Sequence, residues 1–345
     1  MSKEPSKLLK RIAAEAGVPE LDAALSRLSP SDLNSLLLHV FGQRAVNEAD
    51  LMRATAALLA PSAVDARRMH EFDTAAFEAA ADFDALELSP VSPLGLSRVL
   101  GGIHQNNVLS ALRGSEVSGD PTSVLAIECA RRRKRGFAVV NLCASQRVIR
   151  LQPFDHPGYS PHFRLFGLAT AGRDTGSFGF EIDALGRHIR CYLDLFRRLS
   201  QRGFQFDSPL VELSDTRVML EYLASHGLVW EEVRESIRAH NLGGSERFFA
   251  ERGVAPPADD DLLPSLLEDL RREFPEAEFR CNHARLEGVG YYSGLCLRIS
   301  PLAPDGVRYP IVDGGFTDWT ARLLQNRKER LLATGVGSQF AAMKY

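Results

Sequence analysis

Two short patterns of arginine and aromatic residues, separated by a turn-rich segment, have the spacing best suited to ligand chemistry in this chain. The first pattern carries Arg150 and Gln152, and the second carries Arg164 and Phe166. Side chains two residues apart in a strand project from the same face, and the proline- and glycine-bearing segment 155–161 allows a hairpin. Because guanidinium groups bind phosphate and an aromatic ring stacks on a base, the pattern predicts a nucleotide site.

Less specific interpretations of the charged residues stay open. The four residues of the hairpin pattern, taken alone, also suit an ordinary sheet surface. A basic run at residues 131–135 suits either contact with RNA or phosphate, or a solvated helix end whose cations complement the helix dipole. The sequence contains neither a Gly-x-Ser-x-Gly nor a Gly-x-x-x-x-Gly-Lys-Ser/Thr motif, so it offers no starting point for a hydrolase or a P-loop site.

The elements that would position these residues follow an α+β pattern. A long amphipathic helix is predicted over residues 181–201, because its apolar residues recur on one face. Extended segments without a regular βαβ alternation indicate an α+β fold in which an antiparallel sheet is flanked by helices. These extended segments are 137–142, 148–152, 163–170, 293–299 and 331–337.

A proline-bearing segment divides the chain into two parts. Residues 89–93 include two prolines, and such a segment cannot continue a helix. We predict that residues 1–85 form an N-terminal helical extension. Residues 86–345 are predicted to form a larger core, which contains a helical insertion at about residues 207–280.

The N-terminal extension contains one helix with clear boundary signals. Ser29 is a capping residue, Pro30 takes the first helical position and Asp32 lies in the first turn, so the helix is predicted to begin there and to end at Gly42. An apolar stripe at helical spacing must be buried, either within the protein or against a protein partner. The stripe consists of Leu33, Leu36, Leu37, Val40 and Phe41.

The composition of the 345-residue chain argues against several classes of protein. A formal net charge of −3 gives no global attraction to nucleic acid. The five cysteines form no Cys-x-x-Cys pair, so neither a disulfide framework nor a zinc knuckle is predicted. The N-terminus lacks the apolar region of a signal peptide, and no segment is long and apolar enough to cross a bilayer. We therefore expect a cytoplasmic protein without membrane contact.

The hairpin pattern resembles the second signature motif of class II aminoacyl-tRNA synthetases, which has an Arg-x-Glu strand, a loop and an Arg-x-Phe strand. The resemblance implies that Arg150 is catalytic and holds the α-phosphate of ATP, and that Gln152 orients the adenosine. It further implies that Arg164 reaches the distal phosphates and that Phe166 stacks on adenine, with Mg²⁺ as a second cofactor. Gln152 replaces the glutamate of the motif. Its amide can still accept a hydrogen bond but carries no negative charge.

Further segments resemble the histidyl branch of these synthetases and occur in the same order along the chain. Residues 119–122 resemble its Arg-Pro-Glu-Gly-Thr segment, residues 287–294 its Arg-Gly-Leu-Asp-Tyr-Tyr-Thr-Gly segment, and residues 313–318 its Gly-Gly-Arg-Tyr-Asp segment. Residues 333–340 resemble the third signature motif. The resemblance assigns six residues to substrate binding: Asp120, Thr122, Tyr291, Tyr292, Gly314 and Gly315. It also implies a six-stranded, mainly antiparallel core that forms a homodimer.

Departures from the family pattern remove charged groups that synthesis of an adenylate uses. Glu287 and Phe340 replace two arginines that contact phosphate, and Gly290 replaces a substrate-binding aspartate. Removal of one preorganised contact to a developing charge costs about 3–4 kcal/mol. Leu168 and Gly172 replace the glutamine and glutamate that select substrate, so we expect histidine recognition to be lost.

Other charged residues leave two questions open. Arg298, Arg308 or Arg330 could supply the missing cations from other positions. Glu181 and Asp183, which open the long helix, could hold Mg²⁺ by resemblance, or could serve only the helix dipole. The sequence itself assigns no metal ligand.

The resemblance therefore implies a class II synthetase-like paralogue that binds an adenine nucleotide and an amino-acid-like ligand but does not charge tRNA. We expect no tRNA binding, because no anticodon-binding domain follows the third motif. The regulatory subunit of ATP phosphoribosyltransferase, in histidine biosynthesis, is the member of this branch most like it. The alternative is an ATP-dependent ligase that passes an acyl-adenylate to an acceptor other than tRNA. Whether the chain is an enzyme, or only a structural partner module, stays open.

Overall fold

One large sheet with helices on both faces forms the centre of the protein. The computed structural model describes residues 7–45, 57–152, 160–239, 245, 248–250, 253–258 and 263–345. Within these residues the central sheet has eight strands, in the order β1-β5-β6-β11-β10-β9-β7-β8. Their bounds are β1 Asp84–Ala85, β5 Val140–Ile149, β6 His162–Arg173, β11 Glu329–Val336, β10 Val312–Thr317, β9 Leu295–Leu302, β7 Asp207–Asp215 and β8 Glu278–Cys281. A small second sheet contains β2 Val91–Pro93, β4 Ser115–Val117 and β3 Ser110–Ala111.

The six inner strands of the central sheet are antiparallel to one another, which confirms the predicted α+β class. The two edge strands, β1 and β8, pair in parallel instead. They raise the described sheet from the expected six strands to eight. Two and four residues are too few for a strand pattern to be recognised in a sequence.

Strand β5 corrects the predicted position of two site residues. Segments 137–142 and 148–152, which were expected to be separate, are joined in the single strand Val140–Ile149. The strand ends at that point, so Arg150 and Gln152 lie beyond it rather than on it. Strand alternation therefore does not determine where these two side chains project.

Twelve helices of four or more residues lie within the described part of the chain. Their bounds are α1 Lys7–Glu15, α2 Leu21–Ser26, α3 Pro30–Arg44, α4 Ala66–Ala79, α5 Leu96–Val99, α6 Pro121–Lys134, α7 Gly179–Ser200, α8 Thr216–Ser225, α9 Trp230–Ala239, α10 Pro264–Glu273, α11 Trp319–Leu324 and α12 Ser338–Lys344. The predicted helix at residues 181–201 corresponds to α7. In that helix Leu185, Ile189 and Tyr192 are fully buried, as its apolar stripe predicts.

Hydrophobic clusters cover both faces of the central sheet. On one face, Leu125 of α6 and Trp319 of α11 pack with β5, β6 and β11. On the other face, residues of α4, α7 and α12 pack with the same strands and form the larger cluster. Any ligand site on the sheet must therefore lie where neither helix layer covers it.

The N-terminal segment differs in burial on either side of its described gap. Helices α1, α2 and α3 have no buried residue among those described, whereas α4 inserts Met69 and Phe72 into the larger cluster. Residues 66–85 thus pack with the main sheet, although the proposed domain boundary lies at residue 85. The helix signal at Ser29 is confirmed, because its hydroxyl oxygen accepts the Asp32 N–H at 3.1 Å.

Helix α3 leaves part of its apolar stripe exposed in the described structure. The helix continues two residues past Gly42 to Arg44. Phe41 is 56% exposed, and Leu36 and Val40 are also exposed. Leu33 and Leu37 of the stripe are half-buried, so the described part of the protein covers the stripe only in part.

Strands of the main sheet lie at both ends of the predicted insertion. β7 and β8 pair with each other and belong to the central sheet, and the helices α8, α9 and α10 lie between them in sequence. Met219 and Val233 of these helices pack with Leu286 and Val289 in a third hydrophobic cluster. This packing joins the insertion to the segment that leads into the candidate site.

All five cysteines are buried free thiols. Burial raises the pKa of the Cys129 and Cys143 thiols to about 12, so both stay protonated and unreactive at neutral pH. Among the described residues, no helix has the length and apolar character needed to cross a membrane.

Candidate ligand-binding cavity

A cavity of about 600 Å³ opens on the α6 face of the central sheet. We call it the sheet-face cavity. It is bordered by the start of α6, the end of β5, β6, β10, the segment before β9 and the start of α12. Six of its polar lining residues are Asp120, Thr122, Arg150, Tyr291, Tyr292 and Asp313. The structure thus brings together five residues that the sequence assigned to the site, and adds Asp313.

The first helical turn of α6 organises one side of the cavity. Asp120 caps the helix: its Oδ1 accepts the Thr122 N–H at 2.8 Å and the Thr122 hydroxyl at 2.7 Å. Its Oδ2 accepts Arg150 Nη2 at 3.1 Å, and Arg150 Nε donates to the Gly119 carbonyl at 2.8 Å. Arg150 is therefore held in place by fixed acceptors while 27% of its side chain stays exposed.

A buried arginine and a tyrosine organise the opposite side. The Tyr292 hydroxyl donates to Asp313 Oδ1 at 2.7 Å, and Arg285 Nη2 donates to Asp313 Oδ2. The Arg285 side chain is only 2% exposed. Burial acts to lower the pKa of Arg285, but nearby groups, foremost the Asp313 carboxylate, together raise it above its usual value. Burial and the nearby Asp313 charge raise the pKa of Tyr292, so this phenol stays a donor.

Sequence analysis assigned no role to Arg285 or Asp313. Arg285 lies two residues before segment 287–294, in a stretch with no periodic pattern. Asp313 immediately precedes Gly314 and Gly315. A single charged residue beside a motif gives no signal of its own. Their pairing joins positions 28 residues apart, and Arg285 also donates to the Leu297 carbonyl of β9, the strand that pairs with β10.

The two glycines of the predicted site act through packing. A Cβ at Gly315 would lie 2.8 Å from ring atoms of Tyr292, and one at Gly314 would lie 2.4 Å from Thr334 Cα. Gly315 therefore allows the Tyr292 ring to lie against β10, while Gly314 allows β10 to approach β11. Both glycines are beside the cavity, but neither is among its lining residues.

Arg164 and Phe166 lie on the opposite face of the sheet from the cavity. Phe166 is fully buried, with its ring edge-on to Phe77 of α4 at 5.4 Å. Arg164 Nε donates to Ser145 Oγ at 2.9 Å and lies 3.0 Å from Asp73 Oδ2. The prediction that both residues join Arg150 around one nucleotide is therefore corrected.

Two other residues of β6, which alternate with Arg164 and Phe166 along the strand, take the positions that were expected for that pair. Phe163 and Leu165 line the cavity, and the Arg150 guanidinium carbon is 5.3 Å from the centre of the Phe163 ring. A shift of one residue along a strand exchanges its two faces, which accounts for the error. Gln152, which lies past the end of β5, is not among the lining residues.

The departures from the family pattern have structural counterparts. Gly290 has φ 74°, and a Cβ there would lie 2.5 Å from Trp230 Nε1 of α9, so the indole occupies the space beside this backbone. Glu287 lies 3.6 Å from Arg298. Phe340 lines the cavity, with its ring edge-on to Tyr309 at 5.3 Å.

Two of the three alternative cations are already engaged near the cavity, and the third lies elsewhere. Arg308 lines the cavity, but its guanidinium donates to Glu278 at 2.7 Å. Arg298 lies 3.7 Å from Asp313 Oδ2. Arg330 faces a separate cavity, where it donates to Glu181 Oε1 at 3.0 Å.

Glu181 and Asp183, the acids proposed for Mg²⁺, are not part of a metal-binding cluster within the described residues. Among the described residues, no group of three or more His, Cys, Asp or Glu side chains is close enough together to hold a metal ion. Glu181 is instead an ion-pair partner at the start of α7. Its position suits the positive end of the helix dipole.

The fold is that of the catalytic core of class II synthetases, of the histidyl type. No family model matches the sequence, and no curated protein matches it significantly. Histidyl-tRNA synthetase from Nostoc sp. PCC 7120 superposes with a TM-score of 0.60 at 12% identity, over 87% of this chain and 75% of that one. The histidine–tRNA ligase subunit from Alicyclobacillus acidocaldarius gives 0.60 at 15% identity, over 83% and 95%.

Regulatory proteins share the same fold. An ATP phosphoribosyltransferase regulatory subunit/histidyl-tRNA synthetase from Bacillus halodurans has a TM-score of 0.53 at 12% identity, over 82% of both chains. The ATP phosphoribosyl transferase (HisG:HisZ) complex from Thermotoga maritima gives 0.50 at 14% identity, over 79% and 97%. At such identities the comparisons establish the fold that this chain shares with both kinds of protein.

Proposed function

We propose that this chain is a class II synthetase-like protein that binds a small amino-acid-like ligand in the sheet-face cavity and does not charge tRNA. In this respect it would resemble the regulatory subunit of ATP phosphoribosyltransferase. The observation that carries the proposal is the charge of the cavity. Asp120, Thr122 and the two tyrosines, which the resemblance assigns to the amino acid, line the cavity together, whereas of the two arginines that it assigns to phosphate only Arg150 lines it.

Electrostatics supports this division. A triphosphate carries several negative charges and needs matching cations when it leaves water. Arg150 is the one predicted phosphate ligand in the cavity, and Asp120 already offsets its charge. Arg164 lies on the other face. With Glu287 and Phe340 in place of arginines, two lost contacts at about 3–4 kcal/mol each would slow adenylate formation by four orders of magnitude or more, at roughly 100-fold or more per contact.

Amino-acid-dependent exchange of pyrophosphate into ATP tests the absence of activation. We expect the purified chain to show no exchange above background with any of the twenty amino acids, while thermal unfolding shifts with at least one of them. A histidyl-tRNA synthetase assayed in parallel checks the reagents. Exchange that depends on an amino acid and disappears in Arg150→Ala would overturn the proposal.

The position of Arg150 supports a second candidate, an adenylate-forming ligase with a non-tRNA acceptor. Its guanidinium lies beside the ring of Phe163, and both residues line the cavity. This arrangement suits contact with both the phosphate and the base of a nucleotide. Binding of ATP with Mg²⁺ is therefore a further proposal, and it depends on Arg150 alone. Under this second candidate, calorimetric titration of ATP with Mg²⁺ should give binding that Arg150→Ala removes, and a silent titration would exclude the ligase.

Assembly is a separate part of the proposal. The Thermotoga maritima structure is a complex of two kinds of subunit, and α3 of this chain exposes Phe41 and neighbouring apolar residues. We propose a homodimer that also contacts a protein partner through the N-terminal helices. Light scattering should give twice the monomer mass of 38.0 kDa. A monomeric mass at micromolar concentration would contradict the homodimer.

A further inference from the structure

Aromatic rings form much of the wall of the sheet-face cavity. They come from β6, from the segment before β9, from the segment before β10 and from the starts of α11 and α12. Tyr291 is 40% exposed, and its ring is edge-on to that of Trp319 at 5.9 Å. The faces of aromatic rings attract cations. The six rings are those of Phe163, Tyr291, Tyr292, Tyr309, Trp319 and Phe340.

Two carboxylates line the same cavity. Asp120 and Asp313 have side chains that are 27% and 40% exposed, so both can reach a ligand. Burial raises the pKa of the Tyr291 phenol, and the charges of Asp120 and Asp313 raise it further while that of Arg150 lowers it.

The cations of the lining are already engaged by protein groups. Arg150 donates to Asp120 and to the Gly119 carbonyl. Arg308 donates to Glu278 and to backbone carbonyls outside the cavity. Arg285 lies beneath Asp313 and is almost fully buried, so it fixes the carboxylate without presenting its own charge to a ligand. The two partly exposed carboxylates thus lie beside arginines that already have protein partners, within a wall of aromatic rings.

We propose that the ligand is an amino acid with a cationic side chain, and that Asp313 is the residue that selects this charge. The inference rests on the proposed amino-acid site. Asp120 and Arg150 hold the α-ammonium and α-carboxylate groups, while Asp313 and the aromatic rings receive the side-chain cation. Because Asp313 is anchored by Arg285 and Tyr292, its carboxylate is held ready for the ligand.

Calorimetric titration with matched pairs of amino acids tests the charge preference. L-Arginine is compared with L-citrulline, which has nearly the same shape but a neutral side chain, and L-lysine with L-norleucine, which lacks the amine. At least one cationic member should bind about tenfold or more tightly than its neutral partner, as expected for a charge-assisted contact. Equal or tighter binding of the neutral members, or of neutral L-histidine at pH 8, would overturn the inference and leave the proposed function intact. Absence of binding by every amino acid would overturn both.

Variants locate the preference. Asp313→Asn should abolish the difference between L-arginine and L-citrulline, whereas Asp82→Asn makes the same charge change at an exposed carboxylate outside the cavity and should preserve it. Because Asp313 also pairs with buried Arg285, circular dichroism must show that the variant is folded. Tyr291→Leu is the second variant, since Tyr291 is partly exposed. It should weaken L-arginine about threefold through loss of one cation–π contact, with little effect on L-citrulline. An undiminished preference in Tyr291→Leu and in folded Asp313→Asn would contradict the assignment.

Discussion

At the scale of single residues, strand parity decides which side chains belong to the site. The stretch His162–Arg173 alternates two plausible sets, Phe163 with Leu165 and Arg164 with Phe166. The sequence identifies this segment as a strand but does not show which of the two sets faces the cavity. Asp73 and Phe77, about 90 positions earlier, pack against the second set and so decide the orientation. Asp120 and Thr122 at the start of α6, and Tyr291 and Tyr292 in segment 287–294, line the cavity as predicted. Their predicted placement did not depend on which way a strand residue projects.

Gly290 offers a test of how the insertion packs on the site. A Cβ there would meet the Trp230 indole at 2.5 Å, whereas Gly306, with nearly the same positive φ of 76°, has nothing within 4 Å. Gly306→Ala should lower the free energy of unfolding by about 1 kcal/mol through backbone strain alone. Gly290→Ala should lower it by about 2–4 kcal/mol, because a clash is added. Urea unfolding measures both, and equal losses would show that Trp230 does not restrict this position.

His188 should make stability depend on pH. The ring is fully buried in α7, and its two nitrogens contact the hydroxyls of Thr170 and Thr334 at 2.9 and 2.8 Å. Burial lowers the pKa of His188 to about 3. The unfolded chain therefore binds the proton first, so stability is full above about pH 6.5 and is lost as pH falls toward 3.

The expected size of this effect follows from the shift. His188 should contribute a loss of about 2 kcal/mol in the free energy of unfolding between pH 6.5 and pH 5. His188→Gln removes the titrating group and serves as the reference, because other groups titrate equally in both proteins. If the two proteins lose the same free energy over this range, the ring is not held neutral by burial.

At the scale of elements, sequence patterns located β6, β9, β11 and the long helix α7, but they missed the inner strands β7 and β10 and other features that depend on partners. Polar residues in the middle of β5 made it look like two segments. Ser145 and Gln146 are buried there because each finds a hydrogen-bond partner far away in sequence, Asp73 and the Ser89 carbonyl. Short edge strands and the docking of α4 were likewise invisible, since both depend on tertiary contacts rather than on local periodicity.

The two parts of the N-terminal segment should respond differently to truncation of a phenylalanine. Phe72 of α4 is fully buried in the larger cluster, so Phe72→Ala should lower the free energy of unfolding by about 3–5 kcal/mol. Phe41 of α3 is 56% exposed, and Phe41→Ala should change it by less than about 0.5 kcal/mol. Chemical denaturation of the isolated chain measures both. A large loss in Phe41→Ala would show that α3 packs on the core.

At the scale of the whole molecule, the order of the motifs was enough to predict the fold, although no family model matches the sequence. The function depends instead on which charges the fold retains. We propose that a class II core with the assigned amino-acid-binding residues, but without two of the phosphate-binding arginines, serves to bind a small molecule rather than to activate it. Regulatory proteins and synthetases have this fold in common, so the fold alone does not decide between them.

Comparison of Arg150→Ala with Arg164→Ala tests the central claim most directly, because the two arginines lie on opposite faces of the sheet. The amino acid that binds most tightly is titrated into each folded variant by calorimetry. We expect Arg150→Ala to lose at least about tenfold in affinity. Arg164→Ala should keep the affinity but lose stability, since it releases buried Asp73. Loss of binding in Arg164→Ala with full binding in Arg150→Ala would place the ligand on the other face and contradict the account.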